Sequence, residues 1–240
     1  MSYVYMLTLT EPNGRLCNQI FRNIAVSMIA QKHNLYVKYS SHSKIKRLGI
    51  PLYVGSLKYK HTIELTDDNY LTVFHLPTLQ TNLNANQHFF QTVDISKRIK
   101  EYLWNHRDTV IRENPFSNRY NVNNDIFIHV RLTDVQEYNP GLNYYLKTIE
   151  QCKRNHIYIG TDDPAHIIIQ ELQLLPNTTL LKTDEVQTIQ FGSTCKHIIL
   201  SHGSYSAMIG YLGFFSSVYY PAYQHMWYGD MFSMDGWNKC

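Results

Sequence analysis

The sequence predicts an α/β protein with a mostly parallel sheet covered on both faces. Three observations predict it. Short apolar, β-branched runs alternate with helix-spaced segments along most of the chain. The first forty residues read strand, Gly turn, helix, strand, which is one βαβ unit. The run Asp125-Ile-Phe-Ile-His-Val130 reads as a strand buried on both faces, as parallel strands are. A turn-rich stretch, Asn121 to Asn124, divides the chain into halves at 1–124 and 125–240.

In the first half, Val4 to Thr8 reads as a strand and Asn13-Gly14 as a turn. Ile20, Ile24 and Met28 recur every four residues beside Phe21, Ala25 and Ile29, predicting a helix over Cys17–His33. Leu35–Tyr39 is the next strand. A short strand at Tyr70–Phe74 and a helix from Asp94 to Arg112 follow. In the second half, the predicted strands are Asp125–Val130, His156–Gly160, Thr178–Leu181, His197–Leu200 and Val218–Tyr220. Helices fill the gaps over Asn143–Lys153, Pro164–Leu175 and Asp184–Cys195, with another starting near Ser204. An Asp in Thr161-Asp-Asp-Pro164 is the expected cap of the Pro164 helix.

Composition narrows the function. With 17% charged and 44% apolar residues, the chain should fold around a core rather than remain disordered. A net charge of +3 is too small to argue for nucleic acid. Cys17, Cys152, Cys195 and Cys240 are far apart and form no CxxC, so free thiols in a reducing compartment are expected. The first ten residues lack a basic leader, and the longest apolar stretch, near Ala207 to Phe215, is too short to span a membrane. A cytoplasmic protein without a membrane span is expected.

Four polar loops follow predicted strands: Asn13-Gly14, Arg131 to Asp134, Thr161 to Asp163, and Ser201 to Ser206. In a parallel sheet those ends line one edge, where ligands bind. The set suits a nucleoside diphosphate. Arginine and helix N-termini hold a pyrophosphate, and a carboxylate accepts hydrogen bonds from base or ribose. His129 and Arg131 should share one side of their strand. Each residue also has a plainer reading. Arg131 could pair with Asp134 and tie down a loop. Asp162 and Ser204 could be helix caps, and His129 a satisfied core histidine. The adjacent carboxylates Asp162 and Asp163 are read as capping or solvated rather than as a Mg²⁺ site.

Gly14-Arg-Leu-Cys-Asn-Gln-Ile-Phe21 resembles the Gly-x-x-x-Asn-Gln-x-Phe signature of the α-1,2-fucosyltransferases. His129-Val-Arg-Leu-Thr-Asp134 resembles their His-x-Arg-Arg-x-Asp motif. Ile157 to Asp163 is similar to their strand ending in Ser-Asp-Asp, and Ser204-Tyr-Ser206 to their Ser-x-Phe-Ser block. Pro221, Trp227 and Trp237 echo the family's closing positions. The blocks occur in family order across most of the chain, although the segment from Ser40 to Asn124 has no match.

The resemblance implies a GT-B-like fold of two Rossmann-like halves, the first on the acceptor side with part of the donor cleft and the second binding the nucleotide sugar. It implies an inverting transfer of fucose from GDP-fucose to a glycan hydroxyl, with no metal or other cofactor. Carried over, Arg131 would bind the β-phosphate, and Gly14 and Asn18 would line the pyrophosphate. Asp162 or Asp163 would contact the nucleoside, and Ser204, Tyr205 and Ser206 would reach the phosphates. Asp134 and His129 are both candidates for the base that takes the acceptor proton. Leu132 stands where the family has a second arginine, Cys17 where it has a glycine, and Tyr205 where it has phenylalanine. The alternatives are another nucleotide sugar on the same fold or a non-catalytic nucleotide- or glycan-binding relative.

Overall fold

The computed structural model describes residues 6–134, 136–222 and 229–240. Val4 and Tyr5 of the expected first strand, and Trp227, lie outside these residues. The chain forms two compact units, Met1–His106 with Tyr228–Met231, and Arg107–Trp227 with Phe232–Cys240. Each is α/β and built on one parallel sheet.

The first unit runs β1 (Thr8–Leu9), α1 (Leu16–His33), β2 (Val37–Lys38), α2 (His42–Arg47), β3 (Thr62–Glu64), α3 (Tyr70–His75), β4 (Asn82–Asn84) and α4 (Val93–Asn105). Its strand order is β2-β1-β4-β3, every pair parallel. The expected βαβ unit is present, with Thr8 opposite Val37 across β1 and β2. Helix α1 is buried nearly all round, with Ile20, Phe21, Ile24, Ala25 and Ile29 fully enclosed. Asn34, in the left-handed region at φ 53°, ends it by donating to Ala30 O.

Two expectations fail here. Tyr70–Phe74 is helical, not extended. Thr66 and Asn69 exchange side-chain bonds to each other's backbone N–H, at 2.8 and 3.2 Å, and turn the chain into α3. Tyr70 and Val73 then share a buried face at helical spacing, and Tyr70 Oη donates to Ala25 O in α1. A five-residue apolar run fits either period, and tertiary packing decided it. The single helix expected over Asp94–Arg112 is two helices. His106 leaves helical geometry at φ −107°, ψ 10°, between α4 and α5 (Arg107–Glu113).

The second unit adds to α5 the elements β5 (Ile126–Val130), α6 (Leu142–Glu150), β6 (Ile157–Thr161), α7 (Ile167–Gln173), β7 (Thr178–Leu180), α8 (Glu185–Gly192), β8 (His197–Ile199), α9 (Gly203–Leu212), β9 (Ser217–Tyr220) and β10 (Asn238–Lys239). The sheet order is β10-β9-β8-β5-β6-β7, again parallel throughout. All five residues of β5 are buried. Residues 107–124, placed with the first half on sequence grounds, join this unit through specific bonds. Asn114 Nδ2 donates to Gln190 O at 2.9 Å. Arg119 donates to Asp125 Oδ2 at 2.8 Å and lies over the Phe191 ring at 4.4 Å. All four cysteines are free thiols.

Helix α7 starts at Ile167, later than expected. His166 caps it, Nδ1 accepting from Ile168 N, while Asp163 Oδ1 only closes a tight turn with Ala165 N. Asp184 and Gln187 form a capping box on α8.

Phe127 of β5 fixes how tightly α8 and β6 approach. A β-carbon on Gly160 would lie 2.8 Å from its ring, and one on Gly192 would lie 2.7 Å away. Gly192→Ala should therefore cost about 1–3 kcal/mol by overpacking, read as a lower midpoint in urea. Adding Phe127→Leu should recover part of that loss, because the two residues share one contact. Additive losses in the double variant would refute the contact as the cause.

Candidate functional site

The second sheet changes direction between β5 and β8. From β5 the chain winds outward to β6 and β7, and from β8 it winds the other way to β9 and β10. The loops after those two central strands flank a switch-point crevice, the usual ligand position in such sheets. Three of the four loops singled out in the sequence lie on this edge, after β5, β6 and β8. The Asn13-Gly14 turn belongs to the first unit's own sheet instead.

Arg131 leaves β5 at the crevice, its side chain 17% exposed. Nε and Nη2 donate to Asp134 Oδ1 at 3.2 and 3.0 Å, and Nη2 also reaches Oδ2 at 3.0 Å. The plainer reading of a loop-tying pair is thus present, but the guanidinium is also placed against the start of α9. A β-carbon on Gly203 would fall 2.4 Å from Arg131 Nη1. Gly203, at φ +85°, is the first residue of that helix, and its left-handed backbone favours glycine.

Asp162 serves the loop and is not a helix cap. It accepts from Leu132 N at 2.8 Å, Thr133 Oγ1 at 2.6 Å and Thr133 N at 3.4 Å. Burial alone would raise its pKa. The Thr133 hydroxyl and the two amides, with His129, outweigh burial and hold it below the usual value. Leu132, at the place of the second arginine of the fucosyltransferase motif, is a core residue packed with Val130 and Tyr145.

His129 is 5% exposed, with Nδ1 at 2.5 Å from Ser206 Oγ and its ring 4.9 Å from that of Tyr205. Burial brings its pKa down to about 3, with Arg131 and His202 pushing the same way against Asp162. It is a neutral imidazole built into the sheet. Ser204 and Ser206 are buried within α9 and do not cap it, and Tyr205 Oη donates to Glu185 O. The residue at the cap is His202, which the sequence reading did not single out. No spacing pattern marks it, because its importance comes from where β8 ends.

In the first unit, Gly14 sits at φ +82° just before α1. A β-carbon there would lie 2.9 Å from both Asn18 Nδ2 and Phe89 Cε1. Asn18 Oδ1 accepts from Gln91 Nε2 at 2.9 Å, and Gln19 Nε2 donates to Gly14 O at 2.8 Å. Arg22, also not anticipated, is fully buried and donates to Glu11 O, Asn13 O and His88 O. A groove of about 690 Å³ on this unit is lined in part by Leu9, Glu11, Ile63, Glu64, Asn84 and Asn86. Among the described residues there is no cluster of His, Cys, Asp or Glu able to hold a metal ion, and no helix long and apolar enough to cross a membrane.

No protein-family model and no curated protein matches the chain. Among solved structures it is similar to "E. coli heptosyltransferase WaaC with ADP-2-deoxy-2-fluoro heptose", with a TM-score of 0.51. The match covers 98% of this chain and 93% of that one at 9% identity. The fold is GT-B-like. At that identity the likeness is one of architecture, two α/β halves on parallel sheets, and leaves the ligand to the residues themselves.

Asp162 gives a test of the loop. Its depressed pKa contributes stability that is present above the unfolded value of 3.8 and lost as pH falls through the lower folded value. Asp162→Asn should lower the urea midpoint at pH 7 and flatten the acid side of the stability profile below about pH 4. An unchanged profile would mean that these bonds add nothing to stability.

Proposed function

We propose that this chain is a glycosyltransferase moving a sugar from a nucleoside diphosphate to a glycan hydroxyl, without a metal and with inversion at the sugar carbon. The observation that carries the proposal is the Arg131 guanidinium, held by Asp134 against Gly203 at the N-terminus of α9, at a switch point of a parallel sheet. When a glycosyl–phosphate bond breaks, negative charge builds on the diphosphate. A fixed guanidinium and the amides of a helix start are suited to meet it.

GDP-fucose is the proposed donor. It rests on the Gly14–Phe21 and His129–Asp134 stretches and their resemblance to fucosyltransferase motifs. The ADP-heptose analogue named with the E. coli heptosyltransferase supports a sugar nucleotide on this architecture and makes adenine nucleotides the natural competitor. Of the two candidate bases, Asp134 is the better placed. Its side chain is 42% exposed, although bonded to Arg131, whereas His129 is enclosed. A diphosphate arriving at Arg131 would compete with the Asp134 carboxylate for the same N–H groups. The amides and carboxylates of the first unit's groove suit sugar hydroxyls, and that unit is the proposed acceptor side.

Thermal melting with GDP, GDP-fucose, GDP-mannose, UDP and ADP, each with and without EDTA, tests the donor. GDP and GDP-fucose should raise the melting temperature irrespective of EDTA. A preference for ADP or UDP would replace GDP-fucose with another sugar nucleotide. Arg131→Ala should reduce transfer about 10²–10³-fold with an unchanged circular dichroism spectrum. Asp134→Asn should reduce transfer about 10²-fold or more without weakening nucleotide binding. Full activity in Arg131→Ala would end the proposal.

A further inference from the structure

His202 is used by nothing described so far. It stands immediately before Gly203, with an extended backbone at φ −100°, ψ 171°, and its side chain makes no capping bond to α9. It is 8% exposed. Nε2 is buried and has no hydrogen-bond partner among the described residues. Buried side-chain nitrogens are rarely left so, and an unmade bond there costs stability. The ring packs edge-on to Tyr138 with centroids 6.1 Å apart.

The charges around His202 come from two loops. Arg131 and Asp134 follow β5, Glu137 belongs to the short turn beyond them, and Asp162 follows β6. Burial and then Arg131 lower its pKa to about 4, against the three carboxylates, so the ring is neutral at pH 7. A neutral imidazole can still offer one N–H without adding a second positive charge beside Arg131.

We propose that His202 is a phosphate-contacting residue, its Nε2–H donating to an oxygen of the nucleoside diphosphate that Arg131 meets at the start of α9. The assignment rests on the glycosyltransferase reading and deepens it. It names the group that would satisfy the unpartnered nitrogen and the chemical class of ligand, a diphosphate. The arrangement combines three donors of different kinds at one helix start: a guanidinium, the helix amides, and a neutral ring N–H.

The substitutions His202→Gln, His202→Asn and His202→Phe separate this role from packing. Gln can place an amide N–H where Nε2 stands, Asn places one nearer Nδ1, and Phe keeps a ring beside Tyr138 without a donor. Binding of GDP, ADP, UDP and inorganic pyrophosphate to each is measured by calorimetry, with Arg131→Ala alongside and melting temperatures recorded to verify folding. His202→Phe and His202→Asn should weaken the bound ligand about tenfold, and His202→Gln should stay within about threefold of wild type. If His202→Phe binds like wild type while Arg131→Ala does not, this assignment fails and the glycosyltransferase reading stands. Equal losses in Gln and Phe would reduce His202 to packing and overturn the assignment too. If the wild-type chain binds none of the four ligands, both fall together.

Discussion

The parallel pairing of β5 with β6 on one side and β8 on the other is the constraint from which the second unit follows. Ile126, Phe127 and Ile128 are in register with both neighbours at once. A parallel ladder needs a crossover at every step, and from β5 to β9 each crossover contains a helix, so these strands end at the same edge. That edge carries Arg131, Asp162 and His202 within three different loops. None is near the others in sequence. Their meeting depends on the register, and a slip of one residue would turn His129 and Arg131 to the opposite face. The slot that Gly160 and Gly192 leave for Phe127 opposes such a slip.

The electrostatics of the edge follow from uneven burial. His129 and His202 are both enclosed, and burial makes the charged form of each unfavourable. Arg131 takes a carboxylate partner in Asp134. Asp162 keeps its charge by another route, through a hydroxyl and two amides. The result is one persistent cation beside neutral imidazoles. Two protonated histidines next to Arg131 would instead repel it and loosen the loop.

The parts of the fold legible in the sequence were those with long or two-sided periodicity. Helix α1 shows its period over eighteen residues, and strand β5 was legible from its β-branched residues and its place in the alternation after Asp125 rather than from a period of its own. Asp184 was legible as a helix start because it lies three residues before Gln187, the spacing of a capping box. The Tyr70–Phe74 run was not legible, because five residues with one polar position, Thr72, are too few to separate a helical from an extended period. His166 was missed as a cap because Asp163 offered a more familiar side chain nearer to Pro164. In the site, Arg131 was legible from its place after a strand. His202 and Arg22 were not, since the first depends on where β8 stops and the second on carbonyls of two loops distant from it in sequence.

Arg22 and Arg131 show how the same side chain can take opposite roles in the two units. Both lie near the carboxyl edge of a parallel sheet. Arg22 is fully enclosed and bonds to three backbone carbonyls, Glu11 O, Asn13 O and His88 O, which join the loop after β1 to the loop after β4. Burial lowers its pKa, and Glu11 only partly offsets this. Carbonyls of the chain cannot leave, so Nε and Nη1 of that arginine hold loops, while the buried Nη2 has no partner among the described residues. Arg131 is held chiefly by one carboxylate that is itself partly solvated, and a surface pair of that kind contributes little to stability. A diphosphate, with two negative charges in all, offers more charge and more acceptor oxygens than Asp134 does. Exchange of partner at Arg131 therefore costs one carboxylate contact, while exchange of the partners of Arg22 Nε and Nη1 would break three bonds that tie two loops together. That difference in what each guanidinium would lose is the physical ground for placing ligand chemistry at the second sheet's edge.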